Sequence, residues 1–531
     1  MPDQLRVDTG CLFFPRGGSA YVINYLNREL DARGHSTRQF VGSLGQPGDL
    51  GHARTFYCGL TPYPYDYNDA YALWKNGENP QGRETDRPFH PSYEDRSMPG
   101  VGCPDPMFSA VPDAAAEHLT DAWEKHLAQP RPNGPAHLLH LHHLSHLQVA
   151  AARAHPHLPR VTTLHGTELK IIAGMRDRLD LAMCLGRKPS ELAAELPTGR
   201  PDRAAAVDAL ALEWKLDDDE HRLLAATDWT LWEHSLPWLL RMRHASTLAG
   251  SIVTVSEHDR DLARQLLPDL ADGDIPVIAN GVATDLFTPG ARTDEQRLDN
   301  LRRWLVTDPR GWDRSGEPGS IRYTEQDLAR FTDPTTGKLR PIVLWTGRFL
   351  AFKRVPVMLE AFARALPRLD PAPVLLMWGG VPGECEGAHP ADLVRDLGIA
   401  NSVFFAGYRG HDDLPEGLRT AALMAAPAVN EPFGMVYIEA MAAGCPPIAT
   451  STGGPARIIT PAGDRANGWL VQPDSADTLT AALVHALTHP EELARRAANA
   501  AMHARLVYGW EHVADRYTDV YRQAIDAPPT P

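Results

Sequence analysis

The sequence runs to 531 residues, 43% hydrophobic and 22% charged, which accommodates two large domains with insertions and excludes a disordered chain. A formal charge of -15 at pH 7 argues against a protein built to grip nucleic acid or an anionic membrane. Six cysteines without a C-x-x-C pair suit a reducing cytoplasm and argue against a zinc site or a disulfide scaffold. No apolar run reaches the ~18 residues a membrane span needs.

MPDQLRVDTGCLFF lacks the basic start and apolar stretch of a secretory signal and reads as a strand. PRGGS follows, then a helix with apolar positions Val22, Leu26 and Leu30. Segments 137–144, 160–166, 251–256 and 275–281 predict further strands. Residues 45–130 are rich in Pro, Gly, Tyr and Asp and read as an insertion. Residues 170–248 read as an inserted helical block carrying Trp229, Trp232 and Trp238, which suit a pocket lining or a helical core. Residues 291–338 are polar and read as an interdomain connection.

The C-terminal half is more regular. PIVLWTG (341–347) is a strand, and a helix over 355–366 follows with Pro356 in its first turn. Strands at 374–380, 402–407, 422–428, 446–451 and 469–473 alternate with helices. They are apolar throughout, as strands are when helices cover both faces of a parallel sheet. The pattern predicts a doubly wound α/β domain over 339–507, a second one over 1–290, and a C-terminal helix and tail over 508–531.

The most informative motif is EPFGMVYIEAMAAG (431–444). Glu431 follows a strand, Gly434 allows a tight turn, and a helix opens behind it. The free N–H groups of Met435 and Val436 would then form an anion cradle. Two carboxylates, Glu431 and Glu439, bracket it and suit a phosphorylated sugar, one on sugar hydroxyls and the other on a ribose diol. Arg348 and Lys353 follow a strand in the same domain, five residues apart, and suit a departing diphosphate; in isolation the pair also reads as a solvated loop. Gly453 and Gly454 form a turn that serves ligand approach or simple chain reversal. Gly17 and Gly18 join the first strand to its helix, permitting close backbone approach, but do not form the G-x-G-x-x-G dinucleotide fingerprint. His137, His140, His142, His143 and His146 cluster without nearby carboxylates, which weakens a metal reading.

These motifs resemble the family 4 retaining glycosyltransferases of GT-B fold, with a likeness running from Gly17 to about Tyr521. The resemblance implies two Rossmann-like doubly wound domains facing a cleft, with the C-terminal helix packing back on the N-terminal domain. It implies that Glu431 touches the transferred sugar and Glu439 the nucleotide ribose, and that Arg348 and Lys353 clamp the diphosphate. Arg354 stands where the family often has glycine. Gly17, Gly18, Arg409, Phe433, Gly434, Met435 and Val436 are implied donor contacts. His142, in register with the family's H-x-H segment, is implied to act at the sugar, and His165 and Glu168 near the acceptor. The implied reaction is front-side hexosyl transfer from a UDP- or GDP-sugar to a small acceptor, with no metal or other cofactor. It is expected in a cytoplasmic monomer or homodimer with no nucleic-acid or membrane partner. Segments such as HPSYEDRSMPG are similar to those of bacterial enzymes of specialised metabolism, including antibiotic assembly. A nucleotide-sugar 2-epimerase or a non-catalytic sugar-nucleotide binder of the same fold are the alternatives.

Overall fold

The computed structural model describes residues 4–12, 18–41, 107–270, 273–380, 385–411 and 413–527. Gly17 and the first part of the 45–130 insertion lie outside them. The chain forms two compact units. One contains the described residues up to Ile278 and from Ala514 onward, and the other is Ala279–Val513.

The first unit is a five-stranded parallel sheet: β1 (Arg6–Cys11), β2 (Ser36–Val41), β3 (Leu138–His142), β4 (Arg160–Leu164) and β5 (Ser251–Thr254), in the order β2-β1-β3-β4-β5. The helix Gly18–Ala32 joins β1 to β2, with Val22, Leu26 and Leu30 all buried. The predicted strand at 275–281 shrinks to one bridge, Thr254 with Val277. Thr254 donates to the carbonyl of Pro276, and proline has no N–H with which to extend the ladder.

The second unit is a six-stranded parallel sheet: β6 (Ile342–Gly347), β7 (Val374–Gly379), β8 (Val403–Gly407), β9 (Leu423–Ala425), β10 (Pro447–Thr450) and β11 (Trp469–Val471). The order is β11-β10-β9-β6-β7-β8. The chain winds outward from β6 to β8, then crosses back to β9 on the other side of β6. Ligands of doubly wound sheets bind at the carboxyl ends of the strands where the winding reverses, here between β6 and β9.

Three domain expectations are corrected. The stretch 291–338 belongs to the second unit and is no free connection. Arg292 pairs with Glu416 at 2.7 Å, Arg297 donates to the carbonyl of Thr420, and Trp304 is fully buried. The boundary between the units falls after Ile278, not 290. At the other end the second unit extends through Val513, with Trp510 buried against Gly281. Residues 170–248 are helical as expected, and part of that block builds a small core of its own from Leu181, Leu192, Val207, Leu224 and Trp229.

Candidate active site

In the second unit the reversal of winding brings the sequence motifs together. From β6 the chain passes Arg348, half-buried, to the short turn Ala351–Lys353 and the helix Val355–Ala365. From β9 it runs to Glu431. The two exits are tied by a hydrogen bond from the N–H of Val429 to the carbonyl of Phe352, 2.8 Å. The Lys353 ammonium then meets Glu431 Oε2 at 2.5 Å, each side chain 14% exposed. Arg354 has a left-handed backbone (φ 53°), which accounts for the glycine the family often carries there. Its guanidinium bonds Asp474 and the carbonyl of Ala351.

Gly434 precedes the helix Met435–Ala442 with φ 90°, and a Cβ there would lie 2.5 Å from the Tyr437 ring. Tyr437 is buried and donates to the carbonyl of Ala426 at 2.7 Å, so the helix start is anchored under the turn. Met435 and Val436, at the first turn of this helix, are partly buried. Phe433 is buried, edge-on to Tyr508. Gly453 and Gly454 pack against this loop: the N–H of Gly454 donates to the carbonyl of Glu431, and a Cβ on Gly454 would lie 2.5 Å from the Phe433 Cα. These glycines therefore brace the Glu431 loop.

Glu439, 5% exposed, is held by a residue the sequence reading overlooked: His411 Nε2 lies 2.9 Å from its Oε1. His411 follows β8 in a loop whose sequence, YRGHD, gives no sign of the partner. Arg409 does not present its guanidinium as a donor contact. That group is fully buried and donates to the carbonyls of Ala406, Trp304 and Asp308 and to the Asp308 carboxylate. Arg409 thus fastens the 304–308 segment to the end of β8.

In the first unit the winding reverses between β1 and β3, beside Gly18 and His142. Gly18 opens its helix, and a Cβ there would meet no atom of the described residues within 4 Å. His142 corrects an expectation: it is fully buried and sits behind His165, with Nδ1 2.9 Å from His165 Nε2. His165 is the less buried residue of the two. Burial pushes both imidazoles well below the usual histidine pKa, and neighbouring histidines add to the effect. Glu168 is also fully buried. It accepts from the backbone N–H of His165 at 2.8 Å and pairs with His143 Nδ1 at 3.0 Å, so it ties the 165 loop to the His143 ring and does not reach outward. His140 bridges Thr163 and the Tyr521 hydroxyl, 2.8 Å each, and burial lowers its pKa to about 3. No group of three or more His, Cys, Asp or Glu fit to hold a metal occurs among the described residues. Trp229, Trp232 and Trp238 are all buried in core clusters, and Trp238 donates to the carbonyl of Val111. They fill helix packing. Among the described residues no helix is long and apolar enough to cross a membrane.

The fold is that of the GT-B glycosyltransferases. It matches the sucrose-phosphate synthase of Thermosynechococcus elongatus with a TM-score of 0.59 at 18% identity, covering 99% of this chain and 100% of that one. Anabaena HepE, solved in complex with UDP and glucose, matches with a TM-score of 0.53 at 12% identity over 98% and 100%. Residues 331–503, all in the second unit, match the family "Glycosyl transferases group 1", so this unit carries a glycosyltransferase group 1 domain. The D-inositol 3-phosphate glycosyltransferase of Rhodococcus erythropolis is 30% identical over 315 residues, 57% of this chain and 61% of that protein. The chain thus spans about three fifths of the length of the curated relatives it matches.

Proposed function

We propose that the chain transfers a hexosyl group from a UDP- or GDP-sugar to a small-molecule hydroxyl or thiol, with retention at the anomeric carbon. The observation that carries this reading is the Lys353–Glu431 pair at the winding reversal of the second sheet. Beside it lie the N-terminus of Met435–Ala442 and, further along that helix, Glu439.

In this scheme the diphosphate rests on Arg348, Lys353 and the N–H groups of Met435 and Val436. Glu431 accepts from hydroxyls of the transferred sugar, and Glu439 from the ribose. An ammonium has three N–H donors, so Lys353 keeps two for phosphate while bonded to Glu431. Negative charge grows on the diphosphate as the glycosidic bond loosens. A fixed cation and helix terminus therefore stabilise the transition state more than the ground state. The acceptor attacks from the leaving-group side and gives its proton to the departing phosphate oxygen. His165 orients the acceptor, with His142 behind it. No metal enters the scheme.

The relatives' printed names make a phosphorylated cyclitol the first acceptor to try. The setting we favour is bacterial specialised metabolism, in the cytoplasm, as a monomer or homodimer without nucleic-acid or membrane partners. The test is thermal unfolding with UDP, GDP, dTDP and ADP and their sugars, then transfer assays with and without EDTA. A bound nucleotide raises stability by RT ln(1 + [L]/Kd). The expected result is stabilisation by UDP or GDP and transfer that survives EDTA. Stabilisation by none of these nucleotides, or isomerisation of the sugar without transfer, would overturn the reading.

A further inference from the structure

We propose that His411 is a positioning residue that fixes Glu439 for a vicinal ribose diol, an inference that rests on the nucleotide reading above. Its side chain and that of Glu439 are 11% and 7% exposed, so the 2.9 Å contact between Nε2 and Oε1 is sheltered from water. The imidazole is itself set by Phe287, whose buried ring meets it edge-on with centroids 4.9 Å apart. Phe287, His411 and Glu439, distant in sequence, thus form one chain of contacts.

The carboxylate's remaining capacity points to the ligand. An ionised carboxylate offers about four lone-pair sites on its two oxygens. Among the described residues, only the His411 ring hydrogen-bonds the Glu439 carboxylate, at Oε1. Oε2 accepts no hydrogen bond from the described residues and is not one of the sealed, unsatisfied buried atoms, so a ligand can reach it. A pair of adjacent hydroxyls supplies two O–H donors at the spacing of the two oxygens. With His411 bonded to Oε1, the carboxylate plane is fixed before ligand arrives, so less side-chain freedom is lost on binding. Without that bond Glu439 still carries its charge but loses its orientation.

The test is calorimetric titration of the full chain with UDP and GDP and with their 2′-deoxy and 3′-deoxy forms. The variants are His411→Phe, which keeps a ring against Phe287 but has no N–H, His411→Gln, which restores a donor, and Glu439→Ala. Wild type is expected to prefer the ribonucleotide by about tenfold, the scale of a hydrogen bond to a charged group. His411→Phe should lose most of that preference with little change in deoxynucleotide affinity, and His411→Gln should recover part of it. Should His411→Phe fail to fold, His411→Ala answers the same question. Full preference in the Phe or Ala variant, or an equal loss of affinity for both nucleotide forms, would overturn the positioning role. Full preference in Glu439→Ala would overturn the ribose reading itself. Binding of neither UDP nor GDP by wild type would end both.

Discussion

Lys353 and Glu431 are 78 residues apart in sequence and share an ion pair because β6 and β9, the strands they follow, are neighbours across the winding reversal. On the proposed reading, the lysine works on charge that develops during reaction. Lys353→Ala is expected to lower kcat by about 100-fold, with a smaller effect on donor affinity. Steady-state kinetics in the donor separate the two, and an unchanged kcat with a raised KM would remove Lys353 from that role.

The glycines divide by what surrounds them. Gly454 sits against backbone, 2.6 Å from the carbonyl oxygen of Pro432 for an added Cβ, whereas at Gly18 a Cβ meets no atom of the described residues within 4 Å. Gly454→Ala should destabilise the chain by about 1–3 kcal/mol and impair transfer, because backbone must shift to admit the methyl. Gly18→Ala should leave the melting temperature unchanged. A loss of donor affinity in that variant would then report the ligand itself.

Arg409 is expected to matter for stability and not for nucleotide contact. Arg409→Ala strands the buried carbonyl of Trp304, at a cost of about 1–3 kcal/mol, and removes a part-buried bond to the carbonyl of Asp308. Nucleotide affinity, measured at a temperature where the variant is folded, should stay within about twofold. Tyr408→Ala, at an exposed neighbour, should do little to stability.

His140 predicts acid sensitivity. Unfolded, its imidazole takes up a proton as pH falls below about 6.5, whereas the buried ring does so only at about 3. Between these values the unfolded state binds more protons, so stability falls as pH falls. At pH 5 the loss from this one group is about 2 kcal/mol relative to pH 7. His140→Gln, whatever its stability at pH 7, should have a correspondingly shallower pH dependence in urea unfolding. Equal slopes would refute the assignment.

Most strands were legible because they are uniformly apolar, and the Glu431 motif because its glycine and helix start sit at fixed offsets. β2 was not, since STRQFV reads as polar. Arg38 and Gln39 are nonetheless buried, Arg38 by pairing with the buried Asp8. Residues 291–338 misled for the same reason: their arginines find partners that only the folded chain supplies. His411 had no local signal, because its meaning comes from Glu439, 28 residues later. The histidine run announced itself, but its sequence could not tell that His142 is fully buried and contacts His165, from the following strand.

The network around His140 has a consequence for how the chain is made. Tyr517 bonds Thr163 across 354 residues and Tyr521 bonds His140 across 381. Both tyrosines are synthesised after the whole of the second unit. Until translation has passed residue 521, His140 and Thr163 have each other but lack the tyrosine hydroxyls that complete their hydrogen bonding. The first unit's sheet can assemble early, but its interior closes only when the C-terminal helix arrives. Vectorial synthesis, which usually lets an N-terminal domain finish first, here delays that domain's completion until its own last helix, made after the whole second unit, has emerged.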